Sequence, residues 1–372
     1  MGKDKLYSKS LKAKDLPNPF IPATSNYFAR QFYWDSFFIM TGLKTEGEKG
    51  YKMAKGMVEN FAYLVKKIGY IPNSHNSYTT RSQPPFFSSS ILLIYDYYKD
   101  KKWLKKMYSS LVKEYKYWNK KIHKTQDSIL LRYNDPKGIR NGKVDFEYNA
   151  IQESGWDMTL RFENKCHTTA ALDLNCLIYK MLKDLEFISK EIKRPDRIQN
   201  KWNEKAKTIK QKINKTMFNK KEGIYFDYDP IAKKQLKTKT LATFFPLFTK
   251  VATKTQAEKV KNNIKLFESD YGLTTTTKEL MGNGIQWGYP NGWAPLHYVV
   301  IYGLLNYGYK KEALRIAKKF TKRLDEINGW PEKISVVKNK KIKNDNRYKH
   351  QKETFWTFGV YKNLKELINS IH

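Results

Sequence analysis

Only two of the 372 residues are cysteine, Cys166 and Cys176. A disulfide framework is excluded, and a reduced cytoplasm is the simpler expectation. The six histidines show no clustered metal-ligand spacing, and the carboxylates do not gather as in a calcium loop, so neither metal nor cofactor is expected. Gly282-Asn283-Gly284 is too short for a phosphate-binding fingerprint. No run approaches the roughly 18–20 apolar residues of a membrane span. The Lys-rich residues 1–15 lack the apolar stretch of a secretory signal, which again points to the cytoplasm and away from a membrane. Acidic residues are scarce, 36 against 70 Lys and Arg, giving a net charge of +34. Such an excess suits a nucleic acid or another polyanion, or it is simply a Lys-rich solvated face. The excess is spread along the chain without a zinc finger, RNP strand or Walker loop, so no specific nucleic-acid partner is expected. Nothing in the sequence fixes an oligomeric state.

What the chain does have is hydrophobic content, 40%, and aromatic rings, 15%. That is enough for a sizeable core and argues against disorder. Helical apolar spacing dominates over residues 50–68, 88–98, 101–121, 167–191, 198–217, 254–266, 295–307, 310–326 and 354–371. In the fourth of these, Ala171, Leu174, Ile178, Met181, Leu182 and Leu185 fall on one face. Period-two alternation is rare, and GIYFDY (residues 223–228) is the best strand candidate. No Ser/Gly-rich linker divides the chain, so the reading is a Lys-rich extension over residues 1–16 and one domain over 17–372. The class is all-α. Twelve helices at roughly 31 residues each suit an (α/α)6 toroid, as they suit other helical arrays.

Between these segments lie short polar runs rich in Trp: FYWDSFF (32–38), TTRSQPPFF (79–87), ESGWD (153–157), QWGYPNGWAP (286–295) and WPEKI (330–334). A packed helix face has no need of Trp beside Asp, Glu, Arg, Gln and Asn. A sugar site does, because flat rings cover the C–H faces while amides, carboxylates and guanidinium groups bind hydroxyls. Trp34 with Asp35, and Gln286 and Asn291 beside Trp287 and Trp293, fit such a subsite; a helix cap or an aromatic turn explains them equally. Arg81 and Gln83 precede two prolines that keep them out of a helix, or merely rigidify a helix entry.

Two carboxylates fit acid–base chemistry. Gly155 permits a turn that brings Asp157 to a cavity floor, with Trp156 beside it to desolvate a general acid; the competing reading is a capped helix start at Ser154. Glu332, followed by Lys333, suits an ionised base that activates water, or else a surface loop. Cys166 beside His167 lacks a third member for nucleophilic catalysis and reads as an ordinary pair.

In this order, FYWDSFF, PNSHNSYTTRSQPPFF, ESGWDMTLRF, TTTTKELMGNGIQWGYPNGWAP and WPEKI resemble the trehalases of glycoside hydrolase family 37. DLNCLIY (173–179), LATFFPLF (241–248) and Q-x-x-x-x-W-T-x-G-V (351–360) add to the match, which spans roughly residues 17–361. The resemblance implies an (α/α)6 barrel and metal-free, inverting hydrolysis, with Asp157 as general acid and Glu332 as general base. It also implies that Trp34, Asp35, Asn73, Arg81, Gln83, Trp156, Arg161, Gln286, Trp287, Asn291 and Trp293 line the sugar pocket. The chain departs from the pattern where Tyr27 and Asn149 stand in place of arginines, at Gly288 in place of an aspartate, and at Arg347, where a Glu precedes the Tyr. The resemblance makes trehalose the first expected substrate. Another small α-glucoside or α-mannoside, such as glucosylglycerate or mannosylglycerate, is the alternative, and a non-catalytic sugar- or polyanion-binding protein ranks below both. An inverting pair would place its carboxyl groups roughly 6.5–9.5 Å apart across one pocket.

Overall fold

The structure, a computed structural model, describes residues 5–280, 285–343 and 349–370. Gly282, Asn283, Gly284 and Arg347, discussed above, lie outside the described residues. Within them are twelve α-helices: α1 Tyr33–Leu43, α2 Gly47–Ile68, α3 Phe87–Tyr98, α4 Lys101–Trp118, α5 Phe146–Ser154, α6 Leu172–Glu191, α7 Asp196–Thr216, α8 Phe245–Phe248, α9 Lys254–Asn262, α10 Ala294–Leu305, α11 Lys310–Ile327 and α12 Phe355–Ser370. Apart from isolated bridges, the described β-structure is confined to antiparallel ladders of two short strands.

Six helices form a closed ring. α1 packs on α3, α3 on α6, α6 on α8, α8 on α10, α10 on α12, and α12 returns to α1. The inner helices α1 and α10 are buried on nearly every side, as their few polar residues require. The amphipathic helices α2, α4, α7, α9 and α11 bury one stripe and leave Lys-rich faces to solvent. This is the expected (α/α)6 toroid. The inner member α8 comes from LATFFPLF, which winds as a 3-10 turn, Leu241–Phe244, before the helix.

Local chemistry sets the ends. Asp100 caps α4 by accepting from the Trp103 N–H at 2.9 Å. Thr253 and Gln256 close a capping box on α9. Gly69 ends α2 in the left-handed region, at φ +91°. The residues described before position 17 are bound to the body: Leu6 is fully buried and its N–H donates to Glu46.

Three differences from the sequence reading stand out. FYWDSFF is not a loop but the start of α1, which periodicity misses because the helix is buried all round. The helix expected from residue 167 begins only at Leu172, because Ala170 pairs with Tyr228 in a β-bridge and holds the chain extended. ESGWD closes α5 instead of opening a helix, with Gly155 at φ +71° as its left-handed terminus.

The ring closes where α1 crosses α12 at two glycines. A Cβ on Gly42 would lie 2.4 Å from the Gly359 Cα, and one on Gly359 would lie 2.5 Å from the Phe38 carbonyl oxygen. Backbone cannot yield as a side-chain tip can. Gly42→Ala is expected to cost about 1–3 kcal/mol by overpacking, read from urea unfolding. Catalytic output should fall with it, since Trp34 and Asp35 ride on α1 and Trp356 on α12; unchanged stability would show that the helices part without cost.

Candidate active site

One end of the ring opens into a cavity of about 250 Å³. Trp34, Asp35, Asn73, Arg81, Gln83, Asp157, Gln286, Trp287, Trp293 and Glu332 all line it. These ten residues come from separate runs spread along most of the sequence.

Asp157 reaches the cavity through the end of α5. Glu153, one turn earlier, points the other way. It is fully buried and accepts from the Ser82 N–H at 3.0 Å, the Asn134 N–H at 2.7 Å and the Tyr117 hydroxyl at 3.0 Å. Burial pushes Glu153 up to about 7, against the pull of these donors. The helix stops at Gly155, where a Cβ would strike the Trp34 indole at 2.9 Å, and that stop turns Asp157 into the cavity.

The Arg81–Gln83 segment is held from both sides. The Asn73 N–H donates to the Arg81 carbonyl at 2.8 Å, and the Gln83 side chain accepts from the Trp34 N–H at 3.2 Å. The Arg81 guanidinium lies 3.6 Å from Asp135 and over the Tyr78 ring.

The runs containing Gln286 and Glu332 are stitched by a ladder pairing Gly292 with Ile334 and Asn291 with Ser335. Trp287 and Trp293 stack at 3.8 Å, Trp34 tilts against Trp287 at 5.6 Å, and Trp356 meets Trp293 edge-on at 5.8 Å. Glu332 accepts from the Lys333 ammonium at 2.8 Å, and the same ammonium donates to the Gln286 side-chain oxygen at 2.9 Å. Asp35 is the third carboxyl group here. Burial pushes it up to about 8, with repulsion from Glu332 and Asp157 adding to the shift. A protonated Asp35 can donate a hydrogen bond at neutral pH, while the rings supply flat faces.

Three expected lining residues do not reach the cavity. Arg161 is fully buried, with two hydrogen bonds to Asp173 (2.7 and 2.8 Å) and two to Asp227 (2.8 and 2.8 Å). Burial opposes its charge, but the two carboxylates outweigh that and hold its pKa above the ordinary value. Trp156 sits behind Trp287 at 5.3 Å, with the Arg161 guanidinium on its ring. Asn291 spends its amide on the Gln286 and Lys343 carbonyls and accepts from the Lys343 N–H, so it shapes the loop instead of facing a ligand. In each case a polar or aromatic type suited to a sugar also suits a buried tie, and sequence does not separate the two.

Other lining residues went unassigned. Tyr148 and Gln152 are four apart on α5 and face the cavity with Gly155; that spacing, upstream of ESGWD, was the available signal. Trp356 belongs to the Q-x-x-x-x-W-T-x-G-V run, and its buried indole N–H has no hydrogen-bond partner among the described residues. Ala23, Thr24, Tyr27, Phe28 and Tyr78 form part of the lining as well. Of the three described departures, Tyr27 is at the cavity and 60% exposed. Asn149 is buried and donates to the Asp135 and Gly138 carbonyls. Gly288 leaves no room, since a Cβ would fall 2.8 Å from Ile285. Among the described residues no group of three or more His, Cys, Asp or Glu is arranged to hold a metal ion, and no helix is long and apolar enough to cross a membrane. The Cys166 thiol is buried and pushed up by that burial, and His167 is engaged by Glu147 at 2.8 Å, so the pair is not an activated nucleophile.

A six-hairpin helical toroid with acidic groups and stacked indoles in its mouth is the architecture of a glycoside hydrolase. The family model described as Trehalase matches residues 2–141 and 131–369, and the chain belongs to the trehalase family. It is 32% identical to the periplasmic trehalase of Escherichia coli O1:K1 / APEC, over 95% of this chain and 69% of that one. Among solved structures, neutral trehalase Nth1 from Saccharomyces cerevisiae superposes with a TM-score of 0.83 at 26% identity, covering 95% of this chain and 74% of the yeast chain. A GH63 mannosylglycerate hydrolase from Thermus thermophilus in complex with glucose gives 0.72 at 14% identity, over 93% and 95% of the two chains, a likeness of fold. The expectation of a cytoplasmic protein is overturned, because the curated relatives are periplasmic trehalases. Its main physical support also fails: Cys166 and Cys176 are both buried and unpaired, and shielded thiols do not report the redox state of a compartment.

Arg161→Met leaves Asp173 and Asp227 buried without their cation. Such breakage is expected to cost about 3–5 kcal/mol, measured by chemical denaturation. A loss below about 1 kcal/mol would mean that the two carboxylates find other partners or take up protons at little cost.

Proposed function

We propose that this protein hydrolyses trehalose to glucose with inversion, Asp157 acting as general acid and Glu332 as general base. The observation that carries the reading is that these two carboxylates, 175 positions apart in sequence, line one cavity. Asp157 gives its proton to the glycosidic oxygen as the bond to the anomeric carbon breaks. Glu332 takes a proton from a water attacking that carbon on the opposite face. Trp34, Trp287 and Trp293 offer flat faces, while Asp35, Asn73, Arg81, Gln83 and Gln286 offer hydrogen bonds to the sugar. Residues 17–372 are taken as the catalytic domain.

Nothing at Asn149 or Gly288 calls for a different substrate, since both serve packing. Tyr27 does alter the mouth, where an exposed ring can cover the leaving sugar without giving it a charged donor.

Asp157→Asn and Glu332→Gln are each expected to lower kcat by at least about a hundredfold, within the usual worth of a general acid or base, with the far-UV circular dichroism unchanged. Early proton NMR of the products should show β-glucose from the cleaved ring beside α-glucose from the leaving half. Near-normal turnover in either variant would remove that residue from its role, and α-glucose alone would exclude inversion.

A further inference from the structure

Three carboxyl groups, Asp35, Asp157 and Glu332, share the cavity. Inverting hydrolysis asks them to differ, since one must hold a proton and another must be free of it. Glu332 has a lysine in direct contact. The Lys333 side chain is fully buried, its ammonium donates to the Glu332 carboxylate at 2.8 Å and to the Gln286 oxygen at 2.9 Å, and it lies 5.2 Å from the centre of the Trp293 ring. Its place is fixed by backbone: Ile334, next in the chain, pairs with Gly292 in the ladder, and Thr357 of α12 donates to the Pro331 carbonyl at 2.8 Å. Full burial of an ammonium is unfavourable without strong acceptors, so a lysine serving only to join two loops would be a poor choice beside a neutral side chain.

We propose that Lys333 is a positioning residue that fixes Glu332 as the ionised base, by holding its carboxylate against Gln286 and by keeping a positive charge in contact with it. This rests on the reading of Glu332 as general base. Among the described residues, His350, Asp35 and Asp157 are titratable groups close to Glu332 or in the same cavity. His350 has its Nδ1 4.0 Å away, and burial first, then Lys333 and Lys352, push it down to about 4, so it is neutral at working pH. Asp35 and Asp157 line the same cavity, and burial first, with Glu332 and Asp157 adding to it, pushes Asp35 up. The Lys333 ammonium puts a positive charge in direct contact with the Glu332 carboxylate.

The test compares Lys333→Gln, which keeps a donor and loses the charge, with Lys333→Arg, which keeps the charge, using trehalose as substrate. Lys333→Gln is expected to lower kcat at least about tenfold with KM within about threefold, and to move the acid limb of kcat/KM up by about one pH unit or more, the size of a lost neighbouring charge. Lys333→Arg should leave the acid limb where the unaltered protein has it. A tie between loops alone would lower stability in both variants and move neither limb. An acid limb unchanged in Lys333→Gln, or shifted equally in both, overturns the proposal. Should Lys333→Gln fail to fold by circular dichroism, Lys333→Met, which drops the charge and keeps the length of the side chain, takes its place: a raised acid limb supports the assignment and an unmoved one refutes it. Loss of the underlying reading looks different, because then the unaltered protein would not cleave trehalose or Glu332→Gln would remain active.

Discussion

The site depends on one buried carboxylate that does no chemistry. Glu153 gathers donors from three stretches of chain: the Ser82 N–H, the Asn134 N–H and the Tyr117 hydroxyl on α4. Those bonds fix the segment bearing Arg81 and Gln83 relative to the end of α5. Two residues on, Gly155 turns the backbone against Trp34, and Asp157 emerges at the cavity. A carboxylate with both oxygens occupied by orienting donors is a more exact fixture than an apolar contact, because each bond has a preferred direction. The cost is desolvation, which is why Glu153 is pushed up to about 7.

The part of the site that bears Gln286 and Glu332 is built by another means. There the chain runs as two irregular loops, and a two-rung ladder sets their register. Stacked indoles fill the space behind, with Trp287 between Trp293 and Trp156 and Trp356 edge-on to the pair. Rings of this size lose little rotamer freedom on burial and present a rigid face to a ligand. The Arg81–Gln83 segment is thus fixed by hydrogen bonds to a carboxylate and the Gln286–Trp293 run by ring packing, and the Trp287 N–H, donating to the Met158 carbonyl at 3.4 Å, joins that run to the segment bearing Asp157.

Much of this was legible in the residues. Helix positions followed from the apolar period wherever one face meets water, as in α2, α7 and α11. Legibility failed at the buried α1 and α8, which have no solvent face to impose a period, and at α5, only nine residues long; α10 is as buried and was legible all the same. The site was read from motif chemistry, and that chemistry does not tell a ligand from a neighbour. Arg161, Trp156 and Asn291 have the right types for sugar recognition, yet they bond to Asp173 and Asp227, pack on Trp287, and bridge backbone carbonyls. Asp227 is 66 positions from Arg161, and no local pattern announces that pairing. The reverse error, overlooking Gln152 and Trp356, has the same origin, since a residue beside a motif or inside one does not announce by its type that it faces a cavity.

The distribution of charge has a bearing on the chemistry. Among the described residues nine Asp and Glu are buried, namely Glu114, Asp135, Glu153, Asp173, Asp184, Glu186, Asp227, Asp229 and Glu332, against three buried Lys and Arg, Arg81, Arg161 and Lys333. The positive excess therefore belongs to the surface, around an interior rich in carboxyl groups. A neutral disaccharide gains nothing in encounter rate from that shell. The field of such a shell is screened by salt and falls off with distance, and it does not single out one acid of the cavity from another. A diffuse field cannot make one of three neighbouring acids a base and leave another its proton. That distinction needs a charge held in contact with the carboxyl group that is to stay ionised, and Lys333 supplies one at Glu332.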